Sequence, residues 1–392
     1  MKNKLLALSV LALSSGLSVA QNVTVYGVVD AGISYQSKGS RDGGATSAGS
    51  HLMFSPNGSS PSIIGFRGTE DLGGGLKANF NLEGHIMSGN GSQGNQWDGL
   101  FGRQANVGLS GAFGSLTLGK QYEPAVLAFG AVDPRGIKET YSGLMTWAFS
   151  SNLTLGTTDS ALQTAFQPSV DKTTSNSLVD VFARNAISYN YSANGLSLGA
   201  LYGIGGVAGS SKAGAIYELA STYTSGPLTL AAAYHSNNGT SADASGITER
   251  KWFAGFGYSI TPQVSFKANY MSAKVTNGAT GAVTSFGIDN EVWGAGVNYD
   301  WNPKNTLTAA YYNGKKKNAS NSTANSYILS NDYALSKRTT LYGLVAVADL
   351  DSGSNFSLVA AQNGNHGIGS VSPGYVKGSS STAYMVGIKH AF

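Results

Sequence analysis

The last twelve residues, 381–392, place Tyr384, Val386, Ile388, His390 and Phe392 at every second position, with Met385, Gly387, Lys389 and Ala391 between them. Side chains alternate across a strand, so this period of two predicts a strand with one apolar face. Residues 23–35, from Val23 to Tyr35, carry the same period. A long strand at either end of a chain leaves a row of unpaired backbone groups, so the first and last strands are expected to pair and close the sheet.

Between these ends the alternation recurs in pairs of segments joined by short turns: 64–69 with 76–83, 103–111 with 115–122, and 182–191 with 196–202. Further along come 217–224 with 228–234, 252–260 with 264–271, 293–300 with 307–312, and 327–334 with 341–348. With the two terminal strands the total is about sixteen, an even number. The connections between pairs are long and rich in Gly, Ser, Asn and Thr, as in 37–59, 203–214 and 237–248. Short turns at one end and long loops at the other predict an all-β fold, a transmembrane antiparallel β-barrel. Tyr35, Tyr202, Tyr223, Tyr234, Tyr258, Tyr270, Tyr299 and Tyr311 lie near segment ends, where a membrane barrel carries its aromatic girdles.

A barrel of about sixteen strands is too wide for side chains to fill and encloses a water-filled lumen unless something enters it. Residues 122–141 open a stretch without alternation that lasts to about residue 179. Val126, Leu127, Phe129 and Val132 would sit in water if this stretch were an exposed loop. Folding inward against the wall is the preferred expectation.

Composition narrows the class further. The 392 residues include no Cys, 53 Gly, 20 Tyr and 15 Phe, and only 12% are charged. Backbone pairing and packing must therefore hold the chain without disulfides. No linker or charge block divides it. A mean hydropathy of −0.08 is what alternating apolar and polar residues produce, and it conceals a continuous apolar band. Lys2 and Lys4, an apolar run over 5–13 and the small residues Ser18, Val19 and Ala20 form the pattern of a cleavable signal peptide over 1–20, leaving 21–392 as the barrel. Losing Lys2 and Lys4 takes the net charge from +4 to +2, too mild to imply nucleic-acid binding.

The sequence resembles the general porins of the Gram-negative outer membrane, in particular those of beta-proteobacteria. The matching stretches are residues 23–32, 65–76, 102–111 (Gly102-Arg103-Gln104-Ala105-Asn106 onward), 118–122 (Leu118-Gly119-Lys120-Gln121-Tyr122) and the terminal 387–392. The resemblance implies a sixteen-stranded barrel in the outer membrane, assembled as a homotrimer among lipid, with the third long loop folded into each pore. It further implies a constriction with Arg67, Arg103 and Arg184 as the basic side. Asp133 and Glu139 on the loop, and Glu83 on the wall, are the acidic side. Periodicity agrees for Arg67 and Arg184. It would turn Arg103 outward with Val107 and Leu109, yet an arginine facing lipid costs roughly 2 to 4 kcal/mol, so the family placement is preferred. The loop lacks the Pro-Glu-Phe-Gly-Gly run of many porins, and Asn106 stands where an aromatic is usual, suggesting an altered packing surface, of which a subunit interface is one candidate.

Opposed charges across a narrow aqueous gap discriminate solutes by charge and dipole without a binding step, so passive diffusion of small hydrophilic solutes and ions follows. Three arginines against two or three carboxylates suggest a weak anion preference. Two other classes stay open. The long polar loops would suit an adhesin, and the pair Glu83 and His85 is the one hint of a barrel hydrolase. Gly73-Gly74-Gly75 has no Lys-Ser/Thr after it and is a turn, not a phosphate loop. No cofactor and no metal site are expected.

Overall fold

A computed structural model describes residues 23–40, 48–93, 99–143, 181–239, 247–277, 289–352 and 378–392. The expected signal segment 1–20 and the whole of the stretch 144–180 lie outside the described residues. Among the described residues, seventeen strands form one antiparallel sheet that closes on itself. In chain order they are β1 (Thr24–Ser40), β2 (Ala48–Ser55), β3 (Ile63–Gly73), β4 (Leu76–His85), β5 (Gln104–Gly111) and β6 (Gly114–Tyr122). After the helix α1 (Pro124–Val132) follow β7 (Phe182–Ala193), β8 (Leu196–Gly203), β9 (Ile216–Ser225), β10 (Leu228–Asn238), β11 (Ile247–Ser259) and β12 (Val264–Asn277). The last five are β13 (Asp289–Asn302), β14 (Asn305–Lys316), β15 (Thr323–Ala334), β16 (Thr339–Leu350) and β17 (Ser380–Ala391).

Two of these strands are halves of one stave. β2 pairs with the later half of β1, from Gly32↔Ser55 to Ser40↔Ala48, and β3 with the earlier half, from Thr24↔Arg67 to Val28↔Ile63. The barrel therefore has sixteen staves, as the alternation predicts. The reading of 37–59 as a long connection between hairpins is corrected by β2 and by the extension of β1 to Ser40. Leu52 and Phe54 carry its outward face, too brief an alternation among Gly and Ser to stand out in sequence. Asp30 holds the break between the halves: its buried carboxylate accepts the N–H groups of Gly58, Ser59 and Ser60 at 3.1, 3.0 and 2.9 Å, and the Tyr342 hydroxyl at 2.6 Å.

Closure is made by β1 and β17, in register from Val28↔Ala391 to Gln36↔Ala383. Phe392 donates its N–H to the Gly27 carbonyl at 3.0 Å, and Gly27 donates back to Phe392 at 3.2 Å. No edge is left at this junction.

The distribution of residues over the two faces is inverted relative to a water-soluble protein. On β13, Trp293, Val297, Tyr299 and Trp301 are exposed while Val292, Gly294 and Gly296, at alternate positions, are buried. On β17, Tyr384, Val386 and Ile388 are exposed and Ala383 and Met385 buried. The exposed face carries rings in contact, such as Tyr270 with Trp293 at 4.5 Å and Trp252 with Tyr270 at 5.2 Å. The opposite face carries Asn269, Asn298, Ser326 and Ser330. Such an apolar exterior suits lipid, with aromatic residues at its margins.

Candidate functional site

After β6 the chain stops alternating and forms α1. Pro124 at its first turn presets a helical φ and needs no donor there. Asp133 ends it with extended backbone because it precedes Pro134. The nine residues are apolar nearly all round, and Val126, Phe129 and Val132 are buried. Phe129 meets Phe253 of β11 edge-on at 5.1 Å.

Residues 123–143 then follow the polar face of the sheet from stave to stave. The Ala125 N–H donates to Glu218 of β9 at 2.7 Å, and Asn269 of β12 donates to the Val132 carbonyl at 3.2 Å. Asn298 of β13 donates to the Pro134 carbonyl at 3.1 Å, and Arg135 to Ser330 of β15 at 2.5 Å. Lys138 is ion-paired with Asp332 of β15. Thr140 donates to the Gly58 carbonyl, and Glu139 donates its N–H to Ser59 at 3.3 Å. The helix is a departure from the sequence reading, in which 122–141 carried no assigned element.

Asp133 organises this segment. Its Oδ2 accepts the N–H groups of Arg135 and Ile137 at 3.1 and 2.8 Å. Its Oδ1 accepts from the Gly143 N–H at 3.0 Å and the Tyr312 hydroxyl of β14 at 2.9 Å. Burial pushes this carboxyl above the ordinary carboxylate range, while these donors pull the other way. Its charge is spent on shaping the loop and is not presented to solution.

A second group of residues joins β1, β3, β4, β6 and β7. Arg103 Nε donates to Glu83 Oε1 at 2.7 Å, and its Nη2 donates to the Tyr122 hydroxyl. Its guanidinium lies 4.8 Å from the Phe182 ring centre and 5.6 Å from that of Tyr122, within range of cation–π attraction. Glu83 Oε2 accepts from the Tyr26 hydroxyl at 2.8 Å, and Arg67 stands 5.0 Å over the Tyr26 ring. Glu139 is close enough to Arg103 and Tyr122 to act on both through its charge.

The six residues named from sequence therefore have different placements. Glu83, Arg103 and Glu139 are buried and close together. The outward periodicity of Arg103 does not operate, because residue 103 lies ahead of β5, whose first residue is Gln104. Arg67 is exposed and lines an open hollow of about 590 Å³ with Asp71, Lys77 and Asn79. Arg184 is half-buried at a bulge of β7, where Gly119↔Ala186 is followed by Gln121↔Ala183. The extra residue breaks the alternation by which the sequence had set Arg184 in phase with the positions between Ile187 and Tyr189. Asn106 is not on the outward face: it is half-buried and donates to the Lys120 carbonyl at 2.8 Å. Sequence reasoning missed Tyr26, Tyr122 and Phe182, whose rings flank the arginines, and Arg135 and Lys138, which tie the loop to β15. Tyr122 and Phe182, whose ring centres lie 4.4 Å apart with their planes tilted, stand at the ends of paired strands, a signal that alternation alone does not supply.

Closed backbone pairing, an apolar exterior, a polar opposite face and clustered charges define a membrane-spanning β-barrel. The chain belongs to the Gram-negative porin family, whose family model matches residues 7–353, and is thereby an outer-membrane protein. It is 42% identical over 124 residues to outer membrane porin protein 32 of Delftia acidovorans, covering 32% of this chain and 33% of that one. It is 42% identical over 146 residues to an outer membrane porin protein of Bordetella pertussis, covering 35% and 37%. The chain thus spans about a third of the length of the curated relatives it matches. Among solved structures, the anion-selective porin from Comamonas acidovorans superposes with a TM-score of 0.73 at 24% identity, covering 95% of this chain and 100% of that one. The trimer form of OmpT from Vibrio cholerae does so at 0.58 and 14%, covering 95% and 100%.

Proposed function

We propose that the protein is a general diffusion porin, a water-filled passage for small hydrophilic solutes and ions with a weak preference for anions. The observation that carries the reading is the closed sheet with its apolar residues outside and Asn, Ser and charged groups on the other face. Sixteen staves leave an interior that side chains do not fill. Residues 123–143, packed on the polar face, narrow that interior; Arg67, Arg103, Arg184, Glu83 and Glu139 set the charge along it, while Asp133 holds the segment in place. The subunits assemble as a homotrimer in the outer membrane after removal of residues 1–20.

The anion preference follows from which charges remain presented. Glu83, Asp133 and Glu139 are all buried, whereas Arg67 is exposed. Fixed charge close to a narrow path biases ions by several tenths of a kcal/mol or more, depending on local dielectric. The anion selectivity of the Comamonas acidovorans porin supports the same direction.

Arg103 and Glu83 offer the test, because each screens the other. Removing Arg103 also uncovers a carboxylate, and Glu83→Gln uncovers a guanidinium. In planar bilayers under a salt gradient, Arg103→Ala is expected to move the reversal potential toward cation selectivity, with the permeability ratio changing roughly twofold to tenfold, about 0.4–1.4 kcal/mol. Glu83→Gln is expected to move it toward anions, and the double variant to return near the wild type. A wild type that shows no discrete channels, or is clearly cation-selective, contradicts the reading.

A further inference from the structure

We infer that Arg250, Lys274, Lys315 and Lys317 form a docking site on the outer wall for the phosphate groups of an anionic lipid in the extracellular leaflet. The four come from adjacent staves, at the end where the connections are long. Arg250 on β11 is in register with Lys274 on β12, Lys274 with Asp289 on β13, and Glu291 on β13 with Lys315 on β14, which Lys317 follows. Alternation sets them on the lipid-facing side. Arg250 is two residues from the exposed Trp252, and Glu291 two from the exposed Trp293. Lys274 and Lys315 are each four residues from an outward ring, Tyr270 and Tyr311, which meet Trp293 and Tyr327. Lys316 falls on the opposite face and is not counted.

Height on the wall selects the partner. Aromatic residues mark the interface between membrane and water, and here Trp252, Tyr270 and Trp293 make an unbroken row of contacts. Strands rise about 3.3 Å per residue and lean about 35–45°, so cations two to four residues beyond that row stand about 5–10 Å further out, where headgroup phosphates lie. On the same staves the outward positions toward the short turns are Tyr258, Phe266, Tyr299 and Leu307, none of them charged. The patch therefore serves one leaflet, the extracellular one, since in such barrels the long loops face outward from the cell.

Charge complementarity decides the rest. Asp289 is paired with Lys274 at 3.4 Å, and Glu291 with Lys317 at 3.0 Å and with the Tyr270 hydroxyl at 3.1 Å. Although paired, the Lys274 and Lys317 side chains are 42% and 43% exposed and have donors to spare. Arg250 and Lys315 are exposed and enter no ion pair among the described residues. Four cations against two carboxylates leave a surplus of two positive charges, which suits a headgroup bearing two phosphates. Four staves span about 15 Å, enough to seat both. Ser236 of β10 and Asn325 of β15 border the patch without charge, and Asp349 of β16 lies beyond Asn325. The inference rests on the barrel's place in the outer membrane and not on conduction.

The test uses full-length protein in detergent, titrated with diphosphoryl lipid A and separately with phosphatidylethanolamine, a zwitterionic lipid, with bound lipid counted by native mass spectrometry. Each cation at headgroup height strengthens binding of anionic lipid about fivefold. The diphosphorylated lipid is expected to bind at least about tenfold more tightly than the zwitterionic one, and the double variant Arg250→Gln with Lys315→Gln to weaken it about twentyfold to thirtyfold. Lys304→Gln with Lys337→Gln removes the same charge at the short turns and should leave binding within about twofold. A large excess of inorganic phosphate should leave the lipid in place, because its acyl chains also pack on the apolar wall. All four substituted residues are exposed, so the barrel is expected to close in both variants and a loss reads as lost binding. No preference for the diphosphorylated lipid, equal weakening by the two double variants, or full displacement by inorganic phosphate overturns the inference.

Discussion

Asp133→Ala is expected to loosen residues 123–143 from the wall, enlarging single-channel conductance and its noise while the barrel stays closed. The substitution strands four donors, the N–H groups of Arg135, Ile137 and Gly143 and the hydroxyl of Tyr312. Buried donors left without acceptors cost about 1–3 kcal/mol each before relaxation, and a loop relaxes, so a net loss of about 3 kcal/mol is expected. The sheet itself does not run through Asp133: β1 and β17 are joined by their own backbone bonds. Tyr312→Phe removes one of the four donors together with its hydroxyl, and is expected to cost about 1 kcal/mol and change conductance slightly. Urea unfolding in lipid vesicles, beside single-channel recordings of both variants, checks the two parts. Unchanged conductance in Asp133→Ala would show that this segment does not limit the passage.

Gly27→Val is expected to prevent closure of the barrel. A Cβ at Gly27 would lie 2.3 Å from the Phe392 ring and 2.5 Å from the Ile63 carbonyl oxygen. The ring has some freedom to turn. The carbonyl has none, because Val28↔Ile63 pairing fixes it in the β1–β3 ladder. Overpacking of this kind, at the junction where both chain ends exchange hydrogen bonds, is expected to cost about 4 kcal/mol or more. The folded, heat-modifiable band should be absent on a cold gel. Gly49→Ala is the control: nothing lies within 4 Å of its Cβ position, and its effect should be within about 0.5 kcal/mol. Adding Phe392→Ala to Gly27→Val should restore little, since the carbonyl contact remains.

The barrel was legible because its cause is local. Each stave alternates apolar and polar residues over about ten positions, and Tyr384, Val386 and Ile388 announce the outward face without reference to any partner. Paired segments and their short turns can be read the same way. The β2 half-stave escaped because its outward residues are few, and the bulge at Asn185 because one residue of positive φ, 47°, leaves no compositional mark beyond a single Asn. At the site, the sequence identified which residues bear charge but not which of them are hidden. Asp133 and Tyr312 are 179 positions apart, and Lys138 and Asp332 are 194 apart, so neither contact has a local signature. Arg103 illustrates the difference: periodicity pointed it outward, and the partners Glu83, twenty residues earlier, and Tyr122, nineteen later, hold it buried.

The central claim is that neighbouring residues of one strand face lipid and water in turn. The chain has no native Cys, so single cysteines report this directly. Ile388→Cys and Lys389→Cys, in protein reconstituted into lipid vesicles, can be treated with a charged, membrane-impermeant thiol reagent. Lys389→Cys should react and Ile388→Cys should remain unlabelled. Equal labelling of both, or labelling of Ile388→Cys alone, would contradict the account.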